Sequence, residues 1–145
     1  MAEPISQPPA ANTGVNEQDI QLITKKLAYI AIQFQKIAER IWGDFARCDD
    51  EGCRKLRREL DLARDFLPEI IWRARKAVIR LTDPNSTKGQ KEYAEANLPE
   101  LLAKFDRIFK ILLDNCIREE RKQKYLQLAE EFNKVKELIE KTVLS

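Results

Sequence analysis

The stretch from residue 20 to residue 41, IQLITKKLAYIAIQFQKIAERI, decides the fold class of this chain. Its apolar residues recur at alternating spacings of three and four, which is the a/d pattern of a heptad repeat. They are Ile20, Ile23, Leu27, Ile30, Phe34, Ile37 and Ile41. The pattern predicts one long amphipathic helix that begins after a capping Asn16 and runs to about Phe45.

Three later segments repeat this rhythm, with apolar stripes over residues 56–81, 98–112 and 125–142. Pro68 lies inside the first of these stripes and is expected to kink or divide the helix, because it has no N–H and clashes with the preceding turn. No segment shows the alternation of a strand. The sequence therefore predicts an all-α protein, an antiparallel bundle of about four long amphipathic helices.

The helix boundaries are less well determined by the pattern than the stripes are. The second helix is expected to start at Asp49 or Asp50. Ser86 is expected to cap a short helix, and Pro99 to open the main third helix. Residues 118–124, REERKQK, contain no apolar side chain, so they are either a solvated part of one long helix or a turn before the fourth.

Residues 1–16 contain three prolines and no periodic pattern, so they are predicted to be a disordered leader before a single helical domain over residues 17–145. The leader lacks the basic start and apolar core of a signal peptide, and no apolar run approaches the roughly 20 residues that span a bilayer. A cytoplasmic location is therefore expected.

The composition excludes several classes of enzyme. The chain has 145 residues, of which 43% are hydrophobic and 34% are charged, and it contains no histidine. Imidazole acid–base catalysis and Ser–His or Cys–His nucleophiles are thus excluded, and no glycine-rich phosphate loop is present. The sequence predicts no catalytic residue, no metal ligand and no cofactor.

The three cysteines are Cys48, Cys53 and Cys116. Cys48 and Cys53 flank DDEG, and two or three thiolates without histidine make a poor zinc site. An odd number of cysteines without an export signal favours reduced thiols, and a redox disulfide across the turn is the alternative.

Positive charge is concentrated in the middle of a nearly neutral chain. The net charge is +2, but residues 53–82 carry nine basic and four acidic residues. The basic residues are Arg54, Lys55, Arg57, Arg58, Arg64, Arg73, Arg75, Lys76 and Arg80. All but Lys55 and Arg64 form a candidate site for an anion, either nucleic acid or acidic lipid. The i,i+4 pairs Arg57–Asp61 and Glu69–Arg73 favour instead an ordinary ion-paired, solvated face.

Several apolar residues lie off the heptad stripes. On the first helix they are Leu22, Tyr29 and Ile32, and on the second they are Trp72 and Ile79. A helix with two apolar faces is either central in its own bundle or in contact with another chain. For the second helix the intramolecular explanation is favoured, whereas both remain open for the first.

Two segments carry a resemblance to a known family. Residues 57–78, RRELDLARDFLPEIIWRARKAV, and residues 97–115, NLPELLAKFDRIFKILLDN, precede a C-terminal amphipathic helix. This arrangement, over residues 56–143, resembles the 5-bromo-4-chloroindolyl phosphate hydrolysis protein family. The resemblance implies a small helical protein linked to phosphate-ester hydrolysis, and it assigns no catalytic residue.

The residues themselves favour a non-enzymatic helical module for protein–protein interaction or scaffolding. Its partner is expected to be another protein or a second copy of the chain, the latter as a homodimer through the first helix. Anion binding through the second helix and a role in phosphate-ester hydrolysis are the alternatives.

Overall fold

The computed structural model describes residues 17–47, 49–63 and 67–144, and these form five α-helices, one π-helical turn and no strand. The helices are α1 (Glu17–Ala46), α2 (Glu51–Ala63), α3 (Leu67–Thr82), α4 (Lys88–Ile111) and α5 (Glu119–Thr142), and the π-helical turn spans Leu112–Cys116. The all-α prediction is confirmed. The predicted leader lies outside the described residues.

The heptad stripes are the buried faces of the long helices. In α1, the six stripe residues from Ile23 to Ile41 are buried and Ile20 is partly buried against the same core. Tyr125, Phe132, Val135 and Ile139 are buried in the same way on α5. None of the helices in the described ranges has the length and apolar character that crossing a membrane requires.

The two Leu-Pro-Glu segments occupy different places in their helices. Pro68 lies in the first turn of α3, where its missing N–H breaks no helical hydrogen bond. Pro99, in contrast, lies inside α4, so the prediction that it opens the main helix was wrong. The prolyl ring is on the exposed side of α4, where water can bond to the carbonyl that Pro99 leaves without a donor.

The start of α4 is fixed by Thr87 rather than by Ser86. The Thr87 hydroxyl accepts a hydrogen bond from the Gln90 backbone N–H (3.1 Å), and the Gln90 side chain accepts one from the Thr87 N–H (2.9 Å). This reciprocal capping box satisfies two backbone donors at once and lets a single helix begin at Lys88.

The polar segment 118–124 begins a new helix. Ile117 has extended backbone angles (φ −85°, ψ 132°), and its N–H bonds to the carbonyl of Leu112 to close the π-helical turn. Arg118 is the N-cap residue of α5. The third and fourth predicted helices are therefore separate, and most of REERKQK forms the solvated first turns of α5.

The long helices pack side by side in the order α4, α3, α1, α5. α1 contacts α3 and α5, α3 contacts α4, and the shorter α2 contacts α4 and the π-helical turn. Lys26 pairs with Glu131 (3.6 Å), whereas Asp44, later in α1, pairs with Arg121, earlier in α5. α1 and α5 therefore run in opposite directions.

Four phenylalanine rings join α1, α4 and α5. Phe34 meets Phe105 and Phe109 edge to face, with ring centroids 5.3 Å and 4.9 Å apart. Phe105 lies against Phe132 with centroids 4.2 Å apart. At the edge of this contact Lys136 donates a hydrogen bond to Asp106, which raises the pKa of Lys136 above its ordinary value.

Among the side chains that the structure describes, one charged group is buried. The side chain of Asp44 is only 4% exposed, and Arg121 donates to both of its carboxylate oxygens (2.9 and 2.8 Å). Arg118 lies 3.9 Å from the same carboxylate. This charge-assisted pair fixes the end of α1 to the start of α5, since a buried carboxylate without its guanidinium is costly.

The two partners of this pair should respond differently to removal. Arg121→Met leaves a buried carboxylate and should lower the free energy of unfolding by about 3 kcal/mol. Asp44→Asn leaves a guanidinium that is 30% exposed and can be hydrated, so its loss should be nearer 1–2 kcal/mol. Urea denaturation of both variants checks the order, and equal losses would contradict this explanation.

The oxidation state of Cys53 differs from the reduced thiol that the sequence predicts. Its side chain is fully buried on α2 and is disulfide-bonded, so the expectation of reduced thiols is wrong for this residue. The side chains of Cys48 and Cys116 lie outside the described residues. A disulfide constrains the unfolded chain and adds stability that a reduced thiol does not.

The disulfide predicts the number of reactive thiols. With three cysteines in the chain, the denatured but unreduced protein should show one free thiol, and the reduced protein three. Colorimetric thiol titration in guanidinium chloride measures both numbers. Three thiols before reduction would show that Cys53 is not bonded in the purified protein.

Candidate protein-interaction groove

A long groove lies between α1 and α5 and has a volume of about 770 Å³. We call it the α1–α5 groove. It is lined by Leu22, Lys25, Lys26, Tyr29, Gln33, Lys36, Ile37, Lys124, Gln127, Leu128, Glu130, Glu131 and Lys134. The α1 residues run from Leu22 to Ile37, and these 15 steps of 1.5 Å cover about 22 Å, or four helical turns.

The groove has an apolar component that the chain leaves in contact with solvent. Leu22 is 44% exposed and Tyr29 is 51% exposed. Leu128 and Ile37 lie deeper, because both pack against the core. The apolar side chains thus form a partly open strip along the α1–α5 groove rather than isolated surface residues.

The rim of the groove is basic, with five lysines against two glutamates among its lining residues. Lys26 pairs with Glu131 across the groove at 3.6 Å. In the part of the chain that the structure describes, Lys25, Lys36, Lys124 and Lys134 have no carboxylate partner. The unpaired ammonium groups give the groove a positive potential that favours a negatively charged partner.

Two of the five predicted partner-binding residues lie in this groove. Leu22 and Tyr29 line it, whereas Ile32 is 42% exposed on α1 but does not. Trp72 is partly buried against the core, with the guanidinium of Arg75 5.9 Å from its ring centre. Ile79 is exposed on α3. The five predicted residues therefore do not form one site.

The predicted anion-binding residues are also divided. Arg54 and Arg58 are exposed on α2, and Arg57 is half-buried there. Arg75 donates to the backbone carbonyl of Thr24 on α1 (2.9 Å). The other three, Arg73, Lys76 and Arg80, line a second cleft between α3 and α4.

Of the two predicted ion pairs on the second helix, Glu69–Arg73 is present at 3.3 Å, and Asp61 lies outside the described side chains. The described residues contain no group of three or more His, Cys, Asp or Glu side chains arranged to hold a metal ion.

The α5 side of the groove was not predicted from the sequence. Lys124 and Lys134 each stand one residue before a buried stripe residue, Tyr125 and Val135, so they flank the apolar face on the same side. That spacing was the available signal. It does not identify the neighbouring helix, and α1 supplies the other wall only through tertiary packing.

Comparison with known proteins finds no relative of this chain. No family model, no curated protein and no solved structure matches this chain. The resemblance to the phosphate hydrolysis family therefore stays a prediction.

The exposure of the outer face of α1 predicts that charge is tolerated there. Replacing Tyr29 and Ile32 together by glutamate should change the free energy of unfolding by less than about 1 kcal/mol, because both side chains already contact water. Phe34→Ala is the matched core variant and should cost about 3–5 kcal/mol. Urea denaturation measures both, and similar losses would place the outer face in the core.

Proposed function

We propose that this chain is a non-enzymatic protein-interaction module whose α1–α5 groove binds an acidic amphipathic helix of another protein. The observation that carries the proposal is the groove itself, an exposed apolar strip bordered by lysines without carboxylate partners. An amphipathic helix binds in such a groove with its apolar face, and its residues at i, i+3, i+4 and i+7 contact the groove.

The dimensions of the groove support a helical partner. A strip of about 22 Å accommodates roughly 15 helical residues at 1.5 Å each. Glutamates or aspartates on both sides of the partner's apolar face would lie near Lys25 and Lys36 on α1, and near Lys124 and Lys134 on α5. Such complementary charges raise the association rate and select against basic partners.

Charge favours this partner over a second copy of the chain. In a two-fold dimer the same patch meets itself, so the lysines of one groove would face the lysines of the other. The homodimer through the first helix, expected from Leu22, Tyr29 and Ile32, therefore becomes the competing occupant. The antiparallel bundle is retained in this proposal as the scaffold that holds α1 and α5 side by side.

The cellular location bears on where the partner is found. The sequence favours the cytoplasm, whereas the disulfide at Cys53 favours an oxidising compartment, because cytosolic disulfides are rare. Thiol titration on protein trapped in intact cells would separate the two.

The proposal predicts binding of a designed helical peptide. A peptide of about 18 residues with leucines at heptad a and d positions and flanking glutamates should bind to the protein, and its lysine counterpart should not. Reversing Lys25 and Lys134 together to glutamate should weaken binding at least about tenfold, or about 1.4 kcal/mol. Fluorescence anisotropy of the labelled peptide measures the affinities.

The controls keep the net charge change constant. Reversal of Lys55 and Lys110, which are exposed outside the groove, should leave binding within about twofold, apart from long-range effects that salt screens. Equal losses in both double variants would reject the groove. Light scattering should find a monomer, and a dimer that dissociates on Tyr29→Glu with Ile32→Glu would assign the groove to a second copy instead.

A further inference from the structure

A second cleft lies between α3 and α4 and has a volume of about 420 Å³. We call it the α3–α4 cleft. It is lined by Arg73, Lys76, Ala77, Arg80, Tyr93, Ala94, Asn97 and Leu101, so three cationic side chains and no carboxylate border it. Its volume falls in the range of about 300–1,000 Å³ that is typical of small-molecule sites.

The three cations lie on one face of α3. Arg73, Lys76 and Arg80 follow the spacing i, i+3 and i+7, which places them within two turns of each other on the side facing α4. Arg73 donates to Glu69 (3.3 Å) at the outer end of this row. Among the described residues, Lys76 and Arg80 have no carboxylate partner, so they are available to an anion.

The opposite wall offers aromatic, amide and apolar groups. Tyr93 on α4 is 67% exposed, and Asn97 follows it one turn later. Ala77 and Ala94 are buried between the helices, and their small side chains leave the space that a larger residue would fill. Leu101 gives the far end of the cleft an apolar surface.

We propose that the α3–α4 cleft binds a small organic phosphate. The phosphate group lies against Lys76, Arg80 and Arg73, because guanidinium groups match phosphate oxygens in two-point contacts and the ammonium adds a point charge. The flat apolar part of the ligand packs against Tyr93 and Leu101, and the Asn97 amide supplies a hydrogen bond.

The placement of the other arginines favours a small ligand over nucleic acid. Arg75 is turned toward α1 by its hydrogen bond to the Thr24 carbonyl. Arg54 and Arg58 belong to α2, which does not line the cleft. A nucleic acid strand needs a basic track along several phosphates, and this cleft offers one cluster.

Calorimetric titration with phenyl phosphate, inorganic phosphate and phenol tests the proposal. Phenyl phosphate should bind about three- to tenfold more tightly than inorganic phosphate, and phenol should not bind. Lys76→Gln and Arg80→Gln should each weaken phenyl phosphate binding about tenfold. Tyr93→Ala should remove the preference for phenyl phosphate while leaving inorganic phosphate unchanged.

Two further variants separate a defined site from general charge. Glu69→Gln removes the carboxylate that competes for Arg73 and should tighten binding about two- to threefold. Arg54→Gln and Arg58→Gln change the same charge outside the cleft and should leave affinity within about twofold. Circular dichroism of each variant checks its helicity.

The proposal is overturned if phenyl phosphate shows no saturable binding up to about 10 mM, a concentration that corresponds to a binding free energy of only about 2.7 kcal/mol. It is also overturned if Arg54→Gln weakens binding as much as Arg80→Gln. A DNA oligonucleotide or phosphatidylserine vesicle whose binding depends equally on α2 and α3 arginines would replace it with an extended basic surface.

Discussion

The packing of Phe34 against Phe105 and Phe109 is the contact on which the arrangement of the helices depends. It joins α1 to α4 through edge-to-face rings, and Phe132 extends the same cluster to α5. Aromatic pairs of this kind bury large apolar areas and prefer a few relative orientations. Because Phe34 faces this cluster, the heptad face of α1 points inward, and Leu22 and Tyr29 on the other side point outward.

The polar contacts then set how far α1 and α5 are shifted along each other. Asp44 accepts two hydrogen bonds from Arg121 at one end of the pair, and Lys26 meets Glu131 nearer the middle. A shift of one helical turn would break the two hydrogen bonds that Arg121 donates to the buried carboxylate, and a buried charge is costly without such bonds. The position of the lysines around the α1–α5 groove follows from this register.

The sequence predicts the buried faces better than the helix ends. Stripe residues such as Leu27 and Tyr125 are buried as expected, because heptad periodicity reports directly which side of a helix is apolar. The prediction for the position of Pro99 was wrong. The free-energy cost of a proline inside a helix depends on whether water can reach the carbonyl that lacks its N–H donor, and a local sequence pattern does not contain that information. The α1 wall of the groove was predictable in part, because Tyr29 is an apolar residue off the heptad stripe of its own helix. The α5 wall was not, because Lys134 lines a groove only when α5 packs beside α1.

The α1–α5 groove and the α3–α4 cleft differ in chemistry and share no lining residue. Ligands on the α1–α5 groove and the α3–α4 cleft do not compete for side chains, so their binding energies should add unless the helices between them move. Arg75 donates a hydrogen bond to the Thr24 carbonyl on α1 and lies next to Lys76 in sequence. A ligand at one surface can change the affinity at the other only if both ligands favour the same arrangement of a shared structural element. Coupling between the two surfaces would therefore have to alter a contact such as the Arg75–Thr24 hydrogen bond.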